Sequence, residues 1–247
     1  MIRMILLVLT VAPVTLWYVV RIAWGVRPSA PDPAYVVDEF PRRWAKMLLR
    51  IAGVKVVIQN PEMLDPGRPQ VLVANHSSWF DVLALAAWLP GRYVFVAKKE
   101  VRRAPFLGYT IERCGHIYID RSDHQKALRS LEEARVKLEK EKPTVIMFPE
   151  GTRSETGELQ RFKKGAFVLA IQTGADIVPA AITGSRAVMR KNSFLIHAGT
   201  IIIRLGEPIS VRSLTMAERD GLMTETREAL SGLLQGVATP TDPNKPR

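Results

Sequence analysis

Two short apolar runs, Val71-Leu72-Val73-Ala74 and Thr144-Val145-Ile146-Met147, each break off into a dense polar segment. The first is followed by Asn75-His76-Ser77-Ser78-Trp79-Phe80-Asp81, the second by Phe148-Pro149-Glu150-Gly151-Thr152-Arg153-Ser154. Runs this short and rich in β-branched residues read as strands. The polar segments then sit where the chain emerges at the edge of a sheet, and ligands gather at such strand ends in α/β folds.

The remaining periodicity fits the same class. Strand-like runs occupy 54–58, 71–74, 93–97, 117–119, 145–148, 177–181, 194–197 and 200–205, and helical spacing marks 80–89, 124–140, 163–172 and 215–234. Within 124–140, Ala127, Leu128, Leu131, Ala134 and Leu138 share one stripe, with Arg129, Glu132, Glu133, Arg135 and Lys137 mostly outside it. Gly199 between two apolar runs predicts a hairpin pairing 194–197 with 200–205, which makes the sheet mixed rather than purely parallel. The expected fold is α/β: a single domain over 56–236 with a mostly parallel or mixed central sheet flanked by helices. An N-terminal membrane-associating helical pair over 1–55 precedes it, and a disordered tail over 237–247 follows.

With 247 residues, 47% of them apolar, the chain can bury one sizeable core and is not a disordered sequence. The single cysteine, Cys114, excludes an intrachain disulfide and a Cys-rich metal site and reads as a small buried hydrophobe. Thirty-five Lys and Arg against 24 Asp and Glu leave a net charge of +11, which concentrates anionic partners: nucleic acid, anionic lipid or a phosphorylated substrate. There is no zinc-finger spacing and no continuous basic tract, and the Lys-rich stretch after Ala134 is interleaved with Glu. Lipid is therefore favoured over nucleic acid.

The N-terminus points the same way. Residues 4–20 are almost wholly apolar, bounded by Arg3 and Arg21, and contain Pro13. That length is marginal for a bilayer span. Three readings stand: a secretory signal, which lacks a small-residue cleavage box; a short span; or a helix lying in one leaflet, with Trp17, Tyr18 and Trp24 near the headgroups. The stretch 40–54 repeats Trp44, Met47, Leu48, Ile51 and Ala52 at helical spacing among Arg42, Arg43, Lys46 and Arg50. A basic amphipathic helix reads as membrane-binding, and its bland alternative is a helix packed on the domain.

In the first polar segment, Asp81 lies five residues after His76, too far for one helical face. A helix starting near Ser78 would fold His76 back onto Asp81, whose carboxylate would fix the imidazole tautomer and leave the other nitrogen as a general base. The alternative nucleophile, Ser77 or Ser78, lacks the elbow motif that exposes a serine on a hydrolase sheet. In the second segment Gly151 allows a tight turn, Arg153 offers a rigid fork for phosphate, and Thr152 and Ser154 add hydroxyls. Glu150 beside an anion reads as a ligand for a substrate hydroxyl or a brace for an arginine. Lys98-Lys99 and Arg121 also trail strand-like runs, and Val178-Pro179-Ala180 repeats the placement without charge, as candidates for an apolar acyl channel. His116, His124 and His197 have no companions at metal-ligand spacing and read as structural or surface residues.

At these residues the chain resembles the glycerolipid acyltransferases that convert 1-acyl-glycerol-3-phosphate (lysophosphatidate) to phosphatidate, over roughly residues 50–210. Asn75-His76 through Asp81 resembles the family's first block, with His76 as general base. Gly115-His116-Ile117-Tyr118-Ile119-Asp120-Arg121 resembles the second, with Arg121 on the glycerol phosphate. Phe148 through Ser154 resembles the third, which gives Glu150, Gly151, Thr152 and Arg153 acceptor-site roles. Val178-Pro179-Ala180 resembles the fourth, on the acyl-chain side, and Ala97-Lys98-Lys99-Glu100 resembles a stretch that assigns phosphate binding to Lys98. The resemblance implies a reaction without cofactor, metal or covalent enzyme intermediate. Its implied partners are lysophosphatidate, acyl-CoA or acyl carrier protein, and membrane lipids, with no nucleic acid. It also implies a place at the plasma (inner) membrane with the catalytic domain facing the cytoplasm. Rivals are an acyltransferase for glycerol-3-phosphate or another lyso-lipid, and a non-enzymatic lipid binder.

Overall fold

A computed structural model describes residues 2–25, 33–103, 107–120 and 124–236. Seven strands form one sheet: β1 (Val54–Gln59), β2 (Gln70–Ala74), β3 (Tyr93–Lys98), β4 (Ile117–Ile119), β5 (Thr144–Met147), β6 (Asp176–Thr183) and β7 (Gly199–Leu205). Their order is β1-β7-β6-β2-β5-β3-β4. The run β6-β2-β5-β3-β4 is parallel, β7 is antiparallel to β6, and β1 is parallel to β7. The expected α/β class with a mixed, mostly parallel sheet is what forms.

Alternation along the strands explains why the runs are apolar throughout. Leu72, Ala74, Ile146, Val178, Ala180 and Ile182 enter one core cluster, while Val71, Val73, Val145, Met147 and Ile177 enter another. Both faces of the central strands are covered, as in most parallel sheets. Helices α2 (Pro33–Ile51) and α3 (Trp79–Trp88) cover the first face, with Ala45, Leu49, Phe80 and Leu85 buried there. Helices α5 (His124–Glu141), α6 (Gly165–Thr173) and α8 (Arg219–Gln235) cover the second, through Leu131, Leu138, Phe167 and Leu222. Three further helices are α1 (Ile2–Gly25), α4 (Leu107–Arg113) and the single turn α7 (Ser185–Val188).

The hairpin expected at Gly199 does not form. Gly199 opens β7, whose two edges are already paired with β1 and β6, so residues 194–197 have no edge to join. Phe194 and Leu195 stand 85% and 57% exposed in the segment before β7.

The amphipathic face of α2 resolves into packing on the domain. Its apolar side meets α3 and β1, Arg42 donates to the carbonyls of Leu89 and Gly91 and lies over the Tyr93 ring, and Lys46 lies over Trp88. Helix α1 packs against α2 and α4, with Ile22, Phe40 and Cys114 buried between them and Leu16, Trp17, Val20 and Trp24 exposed. Among the described residues no helix is long and apolar enough to cross a membrane. The tail expected over 237–247 lies outside the described residues.

Candidate active site

The parallel direction of β2, β5 and β6 brings their C-terminal ends to one edge, and two loops there are stitched together. The Ser154 amide donates to the His76 carbonyl at 2.7 Å, and the His76 amide donates to Glu150 Oε1 at 2.8 Å. Asn75, almost fully buried, extends the ladder with its side chain: Nδ2 donates to the Ile182 carbonyl at 2.9 Å and Oδ1 accepts from the Ile182 amide at 2.7 Å. These bonds fix the backbone of residues 75 and 76 from two directions.

The start of α3 sets the side chains. Ser78 is its N-cap and Asp81 its third residue, in a reciprocal capping box. Asp81 Oδ2 accepts from the amides of Ser77 (2.7 Å) and Ser78 (2.8 Å) and faces His76 Nδ1 at 2.8 Å. Asp81 is completely buried, and among the described residues its other oxygen, Oδ1, has no partner. A carboxylate at that distance from Nδ1 puts the imidazole proton on Nδ1 and leaves Nε2 with its lone pair. Phe148 stacks on the other side of the ring, centroid to centroid 4.1 Å and 20° from parallel. The capping geometry is thus what closes the five-residue gap between His76 and Asp81.

Neither serine is arranged as a nucleophile. Ser78 Oγ donates to the Met189 carbonyl at 2.8 Å and accepts from the Phe80 amide at 3.2 Å, while Ser77 Oγ lies buried 3.2 Å from Ser185 Oγ.

The second loop distributes its residues unevenly. Gly151 has φ 75°, the left-handed region that glycine enters without strain, and its amide closes a turn onto the Phe148 carbonyl at 3.0 Å. Arg153 lies over the Trp79 ring with 5.1 Å from guanidinium carbon to centroid, and partial burial lowers its pKa from the usual arginine value. Thr152 is exposed at the loop's tip. Both Glu150 carboxylate oxygens accept backbone amides, His76 at 2.8 Å and Gln160 at 3.1 Å. Burial pushes its pKa up, and the two amides oppose that shift.

An apolar cavity of about 800 Å³ opens at this edge. His76, Phe148, Gly151, Thr152, Arg153 and Lys98 border it, and its walls continue through Val82 and Ala86 of α3, Phe95 of β3 and Tyr18, Trp44 and Leu48 of the N-terminal helices. The structure thus brings His76, Gly151, Thr152, Arg153 and Lys98 to one opening, with buried Asp81 and Glu150 hydrogen-bonded to His76. Arg121 lies outside the described residues. Val178 and Pro179 do not line the cavity. Val178 is fully buried in the core with Leu72 and Ile146, and Pro179 is buried in β6, its carbonyl accepting the Gly206 amide at 2.8 Å. Apolar residues after a strand turn inward in this case because β6 is a central strand covered on both faces.

Three contributors escape the sequence reading: Phe148 as the ring's stacking partner, Trp79 under Arg153, and Asn75 as a strand extender. The first two are aromatic residues within the polar segments, a signal present but not specific. Asn75 acts on a residue 107 positions away, which no local pattern encodes.

The family model described as Acyltransferase matches residues 55–183, and the chain belongs to this family. It is similar to the 1-acyl-sn-glycerol-3-phosphate acyltransferase of Saccharomyces cerevisiae, with 33% identity over 187 residues, 75% of this chain and 61% of that protein. It is also similar to the human 1-acyl-sn-glycerol-3-phosphate acyltransferase alpha, with 31% identity over 78% of this chain and 69% of that protein. The chain spans between half and two thirds of the yeast relative and of that from Cocos nucifera, 61% and 53% respectively. Among solved structures it resembles the 1-acyl-sn-glycerophosphate (LPA) acyltransferase PlsC of Thermotoga maritima, with TM-score 0.78, 25% identity, and coverage of 96% of this chain and 98% of that one.

Proposed function

We propose that the protein transfers an acyl chain from acyl-CoA or acyl carrier protein to the sn-2 hydroxyl of 1-acyl-glycerol-3-phosphate, giving phosphatidate. The observation that carries this reading is the Asp81-fixed imidazole of His76 at the mouth of an apolar cavity that Arg153 also borders. A base, an anion-binding fork and a dry channel for hydrocarbon are the three things such a transfer needs.

In this reading the acceptor's phosphate pairs with Arg153, helped by Lys98 and Arg121, which holds the sn-2 hydroxyl against His76 Nε2. Nε2 takes the hydroxyl proton as the oxygen attacks the thioester carbonyl, and buried Asp81 stabilises the imidazolium that forms. The tetrahedral intermediate collapses with loss of the thiolate, which takes the proton back from the imidazolium. Nothing is left on the enzyme. Phe148 holds the ring in plane, and Glu150 holds the backbone that carries it. The exposed face of α1, with Trp17 and Trp24 beside Arg21, is read as resting on anionic headgroups at the cytoplasmic side of the plasma membrane, where the acceptor enters without crossing water.

The test is turnover by purified protein with labelled acyl-CoA and acyl carrier protein against lysophosphatidate, glycerol-3-phosphate, lysophosphatidylcholine and monoacylglycerol. The reading expects phosphatidate from lysophosphatidate and little product from the unphosphorylated acceptor. Product from another acceptor alone would move the head-group assignment, and no product from any pair would leave a lipid binder.

A further inference from the structure

The cavity contains a polar group that the reaction does not use. His116 lines the same cavity as His76 but stands at the other side of it, immediately before β4. From β2 to β4 is three strand spacings, and His116 lies several residues lower along the strands, so the two imidazoles are roughly 15–20 Å apart. The reaction at His76 has no role for a group so distant.

The orientation of His116 is fixed by backbone. Gly115, with φ 78°, turns the chain out of α4, and the His116 amide donates to the Ile111 carbonyl at 3.2 Å. The ring is stacked 6.0 Å from Tyr93 and meets Phe95 edge-on at 5.5 Å. Pairing between β3 and β4 begins only at Val96, and the Phe95 amide donates instead to His116 Nδ1, at 3.2 Å. A ring nitrogen that accepts has no proton, so the neutral imidazole carries its hydrogen on Nε2. Burial, and secondarily Lys137, lowers the pKa of His116 to about 4, which keeps the ring neutral at physiological pH.

Nε2 therefore holds a hydrogen-bond donor, and among the described residues nothing accepts from it. His116 is half-buried and lines the cavity. His116 shares this cavity wall with Phe95, Tyr93, Ile111 and Cys114, whose thiol burial keeps protonated. Tyr93 cannot serve it, because the Tyr93 hydroxyl donates to the Ala86 carbonyl at 3.1 Å. An unmatched N–H in a hydrocarbon channel disfavours a plain chain relative to one that brings an acceptor.

We propose that His116 makes a hydrogen-bonding subsite in the acyl cavity, one that selects an acyl chain carrying an oxygen, such as a hydroxyl, in its middle-to-distal part. The inference rests on the acyl-transfer reading for the identity of the ligand. The shared chemistry is an oxygenated fatty chain, and the chain belongs either to the thioester donor or to the lyso-acceptor.

The experiment compares kcat/KM for stearoyl-CoA and mid-chain hydroxystearoyl-CoA with a plain acceptor, and for plain and hydroxylated lysophosphatidate with a plain donor. Wild type and His116→Phe are measured, the substitution keeping the stacked ring and removing the donor. In one of the two arms, which identifies the chain that occupies the cavity, the hydroxylated-to-plain ratio should fall about 10-fold in His116→Phe. Equal ratios in both proteins in both arms would overturn the subsite and leave His116 as the partner of the Phe95 amide alone. Because His116→Phe also orphans that amide, a second measurement uses wild type. With ¹⁵N-histidine protein in micelles, non-transferable thioether analogues of both chains are added. The Nε2–H resonance of His116 should shift with the hydroxylated analogue and not with the plain one, and equal shifts would reject the proposal. Absence of turnover with every pair would defeat the acyl-transfer reading, while the resonance would still decide the subsite.

Discussion

His76 and Asp81 are held by the backbone of the loops around them, whereas Lys98 projects from the end of β3 with 57% of its side chain in solvent and Glu100 3.9 Å away. On the imidazole side every orienting group is in place: Asp81 on Nδ1, Phe148 on the ring face, Glu150 and Ser154 on the main chain. Of the described cations, Arg153 is partly buried where Lys98 is exposed, and it rests on an aromatic ring rather than on a carboxylate. Acid–base geometry is thus built into the fold. In the proposed reaction the anion clamp would take its final shape from the anion. Substitutions on the first side should lower kcat, and those on the second should raise KM for phosphorylated acceptor.

Asp81→Asn should have the largest effect among these contrasts. The amide oxygen can keep the bonds to the Ser77 and Ser78 amides, and the new NH₂ takes the place of an oxygen that has no partner, so the melting temperature should change little. The charge facing the imidazolium is lost, and kcat should drop about 10²–10³-fold. A drop in stability matching the drop in rate would make Asp81 a capping residue only.

Glu150→Gln comes next. Glutamine can accept from one of the two amides and presents its own N–H to the other, so one buried amide loses its acceptor, a cost of about 1–3 kcal/mol. Loosening the His76 backbone should cut kcat roughly 10-fold with KM for lysophosphatidate nearly unchanged. A rise in KM alone would return Glu150 to the substrate.

Arg153→Lys should act the other way, raising KM for lysophosphatidate about 10-fold because a point charge does not reproduce a planar fork stacked on Trp79. Activity on monoacylglycerol is the control, and equal loss on both acceptors would make Arg153 structural. Lys98→Ala, exposed and weakly paired, should cost less than about 5-fold, with the effect fading in high salt.

The smallest effect concerns stability. His116 is neutral in the fold down to about pH 4 and ionises near its ordinary 6.5 when unfolded. Between those values the unfolded chain binds the extra proton, so this stability is present above about pH 6.5 and is lost as pH falls toward 4. The slope is at most about 1.4 kcal/mol per pH unit. Denaturation midpoints from pH 7 to 5 should therefore fall more steeply in wild type than in His116→Phe.

The same contrast separates what was legible in the sequence from what was not. Strand runs such as Val71–Ala74 are local and read directly, and so is the capping signal Ser78…Asp81 that brings His76 to its carboxylate. The failed hairpin at Gly199 shows the limit, because which edge a strand takes depends on β1, more than 140 residues earlier. The partners of Glu150 show the same limit, because the two amides its carboxylate accepts are ones that only the folded sheet edge brings near. Val178 and Pro179 follow the sequence pattern of a site and lie in the sheet interior, since the pattern cannot tell a strand's end from its middle.

The most direct test of the central claim is single-turnover acyl transfer by His76→Ala alongside equilibrium binding of lysophosphatidate. Acceptor affinity should stay within a few-fold of wild type while the transfer step slows by about 10²–10⁴-fold. Transfer at the wild-type rate, or loss of binding in proportion to the loss of rate, would contradict that claim.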